Sequence, residues 1–337
     1  MESNNTQTSS ASISVVVPIF GGVEYLDECL DSLRAQTLQP DEIIFVDSKS
    51  SDSLKIQKRL EEETFLKVIH FPIKPAFPGD ARNFGARKAK SRWIAFLDLR
   101  TIPSPSWLET IFNIAEEGRN EYIGALRTCY AENFYQKLLK ASTYGNIPAQ
   151  TLAGSIVLKD FFLTSKGFLP NIRAGEDLEW IKRVSKKKSI EWLKESLILY
   201  KGLSPSLMHT VKKWFWYSYE NSKIDILQAE KFFYFFLLIV VSFSFSYSYN
   251  FIFAGEEWDQ SPYFIPNLNK ILWTVSFSIY MLYRGILKPI YLKEDFSFLL
   301  PVNWLLVGFL GLIIDIVKAP GRLIGFFNYL LKKNVKT

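Results

Sequence analysis

Cysteine and histidine are scarce in this sequence of 337 residues, which contains two of each. So few cysteines exclude a small secreted scaffold built on disulfide bonds. Cys29 and Cys129 lack the spacing of metal ligands, and with only two histidines this argues against a Cys/His zinc site. We expect both thiols to be ordinary, partly buried side chains.

The first twelve residues lack both an apolar core and a basic start. They predict a disordered tail over residues 1–12 rather than a cleaved signal peptide. Beyond this tail, a hydrophobic share of 48% excludes a chain disordered throughout. The net charge of +6 indicates an anionic partner, which leaves nucleic acid, a phosphorylated substrate and an acidic membrane face open. Nucleic acid is disfavoured, because many basic residues flank apolar segments.

Residues 13–205 have the pattern of an α/β domain. Short apolar runs over 13–18, 42–47, 66–71 and 93–98 predict strands, and amphipathic or charged segments between them predict helices. This alternation favours a mostly parallel sheet with helices on both faces. Ligands of such sheets bind at the carboxyl ends of strands, where Asp47 and Asp98 stand.

After about residue 230 the chain becomes strongly apolar, and residues 232–337 predict transmembrane or membrane-associated helices. Uncharged stretches over 232–253 and 296–314 are long enough to cross a bilayer core of about 30 Å. The segment 271–287 is shorter and carries Arg284, so a full crossing, a tilted helix and an interfacial helix stay open. Either two or three crossings are therefore compatible with the sequence.

Residues 206–231 combine aromatic and basic side chains, which suits an amphipathic helix at the membrane–water interface. A helix packed on the α/β domain is the alternative. Lysines precede the first apolar stretch and acids follow it, so we expect an integral protein of a bacterial cytoplasmic membrane with its α/β domain in the cytoplasm.

Four segments of the α/β domain occur in a characteristic order: residues 15–33, 44–52, 78–103 and 174–180. They contain a Val-Pro strand end, an acid after the second strand, an Ala-Arg-Asn triplet with an acid after the fourth strand, and a Gly-Glu-Asp triplet. In this order and spacing they resemble the family 2 glycosyltransferases. The resemblance implies a GT-A fold, which is Rossmann-like with a mostly parallel mixed sheet, followed here by an α-helical membrane region.

The resemblance assigns binding of a nucleotide-sugar donor to a set of side chains near the strand ends. Asp47 would accept hydrogen bonds from base and ribose, although a helix cap is the alternative. Arg82 would contact the diphosphate in a bidentate manner, unless it forms a surface ion pair. The full predicted donor set is Pro18, Phe20, Glu24, Asp47, Arg82, Asp98 and Arg100.

Asp98 corresponds to the first acid of the family's Asp-x-Asp motif, which holds Mg²⁺ or Mn²⁺. The second acid is missing, since position 100 is arginine, and hard divalent cations need oxygen ligands. Three interpretations stay open. Asp98 holds the metal with another ligand, Arg100 itself neutralises the diphosphate, or the site is inactive.

Asp177 corresponds to the family's catalytic acid, with Glu176 beside it. As a general base, Asp177 would take the proton of the acceptor hydroxyl during attack on the anomeric carbon, and a single displacement would invert the configuration. The alternative is that both acids only complement a helix dipole.

The sequence therefore predicts a membrane-anchored, inverting glycosyltransferase that serves cell-envelope polysaccharide biosynthesis. Its partners would be a nucleotide-sugar donor, a lipid-linked or glycan acceptor and membrane lipids, with no nucleic acid. Arg100 motivates the alternative of a non-catalytic, membrane-anchored nucleotide-sugar binding protein. A processive synthase is disfavoured, because too few membrane crossings are predicted for export.

Overall fold

The computed structural model describes residues 12–118, 120–246, 260, 262, 265 and 267–334. The chain forms two compact units, one of Met1–Tyr130 with Pro148–Leu203 and one of Ala131–Ile147 with Ser204–Thr337. The predicted domain limits differ from this division, because residues 131–147 group with the C-terminal helices rather than with 13–205. The predicted tail 1–12 lies almost wholly outside the described residues.

The first unit is built on a mixed sheet with the strand order β3-β2-β1-β4-β7-β6-β8-β5. Strands β1 to β4 pair in parallel, and β6 pairs in parallel with β8. The contacts β4–β7, β6–β7 and β5–β8 are antiparallel. The strands are β1 Ile13–Ile19, β2 Glu42–Asp47, β3 Val68–Pro72, β4 Trp93–Phe96, β5 Thr101–Pro103, β6 Tyr122–Cys129, β7 Ala149–Leu158 and β8 Glu191–Tyr200.

Helices cover both faces of this sheet, which explains the unbroken apolar run in β1. Val15 and Val17 pack into one core cluster and Val16 into the other, so both faces of the strand are buried. The helices of this unit are α1 Leu26–Arg34, α2 Ser53–Glu61, α3 Pro78–Lys88, α4 Trp107–Glu117, α6 Lys159–Thr164 and α7 Glu176–Ser185, while α5 Phe134–Thr143 belongs to the second unit.

The second unit is helical in the part that the structure describes. Its helices are α5, α8 Leu207–Ser222, α9 Gln228–Ser246, α10 Leu268–Leu282, α11 Lys288–Tyr291, α12 Phe296–Leu299 and α13 Asn303–Asn334, with a π-helical turn over Tyr283–Leu287. Helices α8 and α13 approach closely because Gly321 and Gly325 face Ser218 and Ser222.

Among the described residues, one helix is long and apolar enough to cross a membrane, over Asn303–Asn328 within α13. The predicted span 296–314 is divided between α12 and α13, because residues 300–302 are not helical. The predicted span 271–287 comprises most of α10 and the π-helical turn. The predicted span 232–253 begins in α9, and its last seven residues lie outside the described part of the chain. All three spans stay predictions.

The predicted interfacial segment 206–231 contains α8 and the start of α9. The buried residues of α8 are small or polar, such as Ser218 and Asn221, whereas Phe215, Trp216 and Tyr217 are exposed. Aromatic side chains on the outer face are the pattern expected for a membrane interface, although no finding here tests that placement.

Candidate active site

The predicted donor-binding residues gather at the carboxyl ends of three neighbouring strands. Asp47 ends β2, Phe20 follows β1, and Asp98 stands two residues after β4. The strand order β2-β1-β4 makes these ends adjacent, and Ile19 of β1 lies opposite Asp47 in the parallel register. Edges of this kind are where ligands of open α/β sheets bind.

Asp47 is fully buried and faces His70 of β3. Its Oδ2 lies 3.8 Å from His70 Nε2, and neither atom has a hydrogen-bond partner in the described structure. Its Oδ1 accepts a long hydrogen bond of 3.4 Å from the Ser50 amide. Burial lowers the pKa of His70, although Asp47 opposes this change. Asp47 thus lies buried at the end of β2, with its Oδ2 directed at His70.

Arg82 of α3 lies between two carboxylates from distant parts of the chain. Its Nη2 donates to Asp98 Oδ1 at 2.6 Å and its Nη1 to Glu176 Oε1 at 2.9 Å. Arg82 is 7% exposed, and burial opposes its charge. The carboxylates of Asp98 and Glu176 outweigh burial, so the pKa of Arg82 is raised. We call Arg82, Asp98 and Glu176 the bridged triad.

The first turns of α3 also hold the segment that precedes α7. The Asn83 side chain donates to the Phe168 carbonyl at 2.9 Å and accepts from the Phe168 amide at 3.0 Å. Asp80 accepts from the Asn171 amide at 3.1 Å. Gly79 has no side chain, and a Cβ there would lie 2.8 Å from Glu176 Cγ. These contacts place the start of α7 against α3.

Glu176 and Asp177 form the first turn of α7, after Gly175 with a φ of 85°. Glu176 is buried, and burial raises its pKa to about 7; the nearby Asp177 adds to this rise, whereas Arg82 opposes it. Asp177 is half-buried, and its Oδ1 accepts a hydrogen bond from the Leu178 amide at 2.8 Å. Asp177 is therefore the more accessible carboxylate of the two.

Arg100 lies at the surface, where its guanidinium stands over the Tyr25 ring at 4.6 Å from the centroid. This cation–π contact orients the side chain without neutralising its charge. The residue before Tyr25 is the exposed Glu24. Phe20 is 74% exposed, and the half-buried Pro18 lies opposite Val46 in the sheet.

A divalent cation does not fit the carboxylates as they are arranged here. Asp98 Oδ1 is bound by Arg82, and Arg100 places a positive charge where a second acid would stand. Across residues 12–118, 120–246 and 267–334, no group of three or more Asp, Glu, His or Cys side chains is arranged to hold a metal. The predicted metal ligand Asp98 is thus committed to an ion pair.

The structure brings Arg82, Asp98, Glu176 and Asp177 into one cluster, and it places Asp47 at the end of the adjacent strand. No direct contact joins Pro18, Phe20, Glu24 or Arg100 to that cluster among the described residues. Sequence reasoning did not predict that Gly79, Asn83 and Phe168 hold α7 against α3. The Ala-Arg-Asn triplet draws attention to Asn83. Its hydrogen-bond partner Phe168 lies 85 residues further along the chain, so the triplet does not predict their contact.

Comparison with known proteins identifies one family that matches the α/β unit. Residues 14–170 match the family model described as Glycosyl transferase family 2. This match, together with the mixed sheet described above, confirms the predicted GT-A fold. Helix α7 and strand β8 follow the matched range, so Glu176 and Asp177 lie just beyond it.

Two curated relatives carry names from cell-envelope synthesis. The chain is 33% identical over 115 residues to the Poly(ribitol-phosphate) beta-glucosyltransferase of Bacillus spizizenii. This alignment covers 32% of this chain and 18% of that protein. Over 247 residues it is 26% identical to the Minor teichoic acid biosynthesis protein GgaB of Bacillus subtilis, covering 66% of this chain and 27% of that protein. The chain spans about a third or less of the length of the first curated relatives it matches.

Among solved structures, the crystal structure of S. aureus TarS 1-349 in complex with UDP-GlcNAc aligns with a TM-score of 0.45 and 17% sequence identity. The alignment covers 84% of this chain and 87% of that one.

Proposed function

We propose that this chain, whose residues 14–170 form a glycosyl transferase family 2 domain, is an inverting enzyme that moves a sugar from a nucleotide-sugar donor to a lipid-linked or cell-envelope glycan acceptor. The observation that carries the proposal is the bridged triad beside Asp177, at the strand ends of a family 2 domain. The names of the curated relatives support a cell-envelope acceptor.

In the proposed reaction Asp177 is the general base. It is half-buried and has no cation bound to it among the described residues, so it can accept the proton of the acceptor hydroxyl. The oxygen then attacks the anomeric carbon, the bond to the nucleotide diphosphate breaks, and the configuration is inverted. Glu176 is not a second base in this scheme, because Arg82 occupies its Oε1.

The leaving diphosphate carries the developing negative charge, and we assign its stabilisation to Arg100, two residues after Asp98. Arg82 is the other predicted diphosphate ligand, but both of its terminal nitrogens are bound to carboxylates. Arg100 is exposed, its guanidinium stands over the Tyr25 ring, and no carboxylate forms an ion pair with it among the described residues. A fixed guanidinium can stabilise two phosphate oxygens at once. Asp47, at the end of β2, is the predicted ligand of the nucleoside.

The helical unit would keep the reaction at the cytoplasmic face of a membrane. Support comes from α13, with its candidate span, and from the exposed aromatic residues of α8. Confinement near a lipid-linked acceptor would raise the effective concentration of that acceptor.

Release of nucleoside diphosphate tests the proposal. Purified, detergent-solubilised protein would be incubated with a panel of nucleotide sugars and a membrane lipid extract. We expect release with at least one donor, and a loss of about a hundredfold or more in Asp177→Asn, the size of a general-base contribution. Asp160→Asn is the matched control, since Asp160 is an exposed acid in the first turn of α6.

A non-catalytic nucleotide-sugar binding protein is the second candidate, and Arg100 in place of a second acid favours it. Saturable binding of a nucleotide sugar without release from any donor, in the presence of the lipid extract, would establish this candidate and contradict the transferase.

A further inference from the structure

Arg100 follows Asp98 in a tight turn that several hydrogen bonds hold closed. The Thr101 amide donates to the Asp98 carbonyl at 3.0 Å, and the Thr101 hydroxyl donates to the same carbonyl at 2.5 Å. The Asp98 amide donates to Thr101 Oγ1 at 3.2 Å. Thr101 is fully buried and begins β5, where it pairs with Tyr200 of β8. The backbone of Arg100 is therefore fixed relative to Asp98.

The residue after β8 also holds the backbone of Arg100. The Lys201 amide donates to the Arg100 carbonyl at 2.9 Å. The Lys201 ammonium donates to Glu28 Oε1 at 2.5 Å, and Glu28 lies in α1. Because this ion pair is partly buried, with the Lys201 side chain 20% exposed, solvent screens it less than a fully exposed pair. Lys201 thus links the backbone of Arg100 to α1.

The residue before α1 supports the guanidinium of Arg100. The Tyr25 ring centroid lies 4.6 Å from Arg100 Cζ, which is within the range of a cation–π contact. Gly22, with a φ of 86°, packs against this ring, since a Cβ there would lie 3.3 Å from Tyr25 Cδ2 and 3.4 Å from Leu99 Cδ2. The missing side chain at Gly22 thus lets Tyr25 lie close to the turn that carries Arg100.

Four residues therefore support Arg100 at its backbone and at its guanidinium, and we call them the arginine clamp: Tyr25, Glu28, Thr101 and Lys201. We infer that the arginine clamp orders Arg100 before the donor binds, and that Tyr25 is the positioning residue for its guanidinium. The inference rests on the proposed role of Arg100 in binding the donor diphosphate.

The physical benefit of such a clamp is a smaller loss of side-chain freedom on binding. An exposed arginine must give up the mobility of its long side chain when it binds a ligand, and this ordering weakens the binding. A contact that already orders the side chain removes part of that cost. An aromatic ring can do this without neutralising the guanidinium, because the ring carries no net charge.

Isothermal titration of the full chain in detergent and EDTA tests the clamp. UDP, GDP, ADP and CDP are the probes, and the one that binds most tightly is used for every variant. We expect Tyr25→Leu to weaken its binding about fivefold, the size of the ordering cost of one long side chain. Tyr25→Phe, which keeps the face of the ring, should bind as the wild type does. A thermal melt checks that Tyr25→Leu remains folded.

Combination with Arg100→Gln separates positioning from a purely structural role. Arg100→Gln alone should weaken binding about tenfold or more, as expected for the loss of charged hydrogen bonds. Tyr25→Leu should add nothing in that background, because Tyr25 acts through Arg100. An equal loss from Tyr25→Leu in both backgrounds, or no loss from Tyr25→Leu while Arg100→Gln binds weakly, would overturn the inference alone.

Glu28→Gln is the second variant, and it leaves the Tyr25 ring in place. It removes the partner of the Lys201 ammonium and should weaken binding about twofold. Asp27→Asn, at an exposed acid of the same helix that pairs with Arg59, is the matched control and should change nothing.

If Tyr25→Leu does not fold, equal affinities of Glu28→Gln and wild type would overturn the inference. Wild-type affinity in Arg100→Gln, or no saturable binding of any of the four probes, would instead contradict the proposed donor site and the inference with it. The two failures are therefore distinguishable.

Discussion

Arg82 connects two acids that are far apart in sequence, and its role follows from burial. The guanidinium cannot be left without a partner at 7% exposure, and the Glu176 carboxylate beside it is almost as buried. Removing one member of a buried ion pair leaves an uncompensated charge, which is why such pairs are sensitive to single substitutions. We therefore propose that Arg82 positions the two carboxylates, while its predicted contact with the diphosphate stays a prediction.

We expect Arg82→Gln to lower the free energy of unfolding by about 3 kcal/mol, because Glu176 loses its buried cation. The double variant Arg82→Gln, Glu176→Gln should recover part of this loss, since the buried charge is then absent. Urea unfolding of the three proteins measures both effects. Equal stability of Arg82→Gln and wild type would show that the Arg82–Glu176 ion pair contributes nothing to the free energy of unfolding.

The raised pKa of Glu176 predicts a dependence of stability on pH. Its pKa is about 7 in the folded chain against an ordinary 4.5, so the folded state binds the proton more tightly. The resulting stabilisation is fully present below about pH 4.5 and is lost as the pH rises through about 7. Melting temperatures of wild type and Glu176→Gln between pH 4.5 and 8 should show the wild-type advantage falling across this window. A constant difference would contradict the raised pKa.

The position of Arg100 predicts how the enzyme responds to metal chelation. We expect nucleoside diphosphate release by the wild type to persist in EDTA, because in the proposed mechanism Arg100 supplies the positive charge that a metal ion would otherwise provide. Arg100→Asp should require Mg²⁺ or Mn²⁺ for release, since it restores a second acid near Asp98. Arg87→Asp, the same change at an exposed position on α3, is the control. An unchanged response to EDTA in Arg100→Asp would count against this role.

At the scale of elements, α3 organises the site. Its first turns contact the segment before α7 through Gly79, Asp80, Arg82 and Asn83. A helix, rather than a loop, thus fixes the position of Asp177. One short run of α3 thus provides several of the contacts that hold the proposed general base, and Arg183 adds hydrogen bonds to the carbonyls of Ser165 and Gly167.

Asn83→Ala tests this arrangement. The variant loses two hydrogen bonds to the Phe168 backbone, each of which contributes about 1 kcal/mol. We expect faster amide exchange over residues 165–176 and a reduced kcat, with little change in donor affinity. Asn120→Ala, which removes exposed hydrogen bonds in the same unit, should change neither. Unaltered exchange in Asn83→Ala would show that the segment is held by other contacts.

The elements themselves were largely predictable, whereas their long-range contacts were not. Apolar runs located β1, β2, β3 and β4, because buried parallel strands need such runs. Asp47 and Asp98 followed from their places after β2 and β4. The bond between Arg82 and Glu176 spans 94 residues, and no local pattern encodes it. The interpretation of Arg82 as a diphosphate ligand therefore lacked the information that two carboxylates bind it.

At the scale of the whole molecule, the sequence predicted an α/β region followed by apolar helices, and the chain does form two compact units. The sequence pattern did not predict that α5 belongs to the helical unit. Its buried Leu138 and Leu139 pack within that unit, but a short amphipathic helix does not reveal which core it joins.

Transfer of labelled sugar tests the central claim most directly. Wild type and Asp177→Asn would be incubated with radiolabelled nucleotide sugars and a bacterial membrane lipid extract, and label in the organic phase would be counted. The account predicts label in a product of inverted anomeric configuration for wild type, and its loss in Asp177→Asn. Donor binding without any label transfer, or transfer that is equal in both proteins, would contradict it.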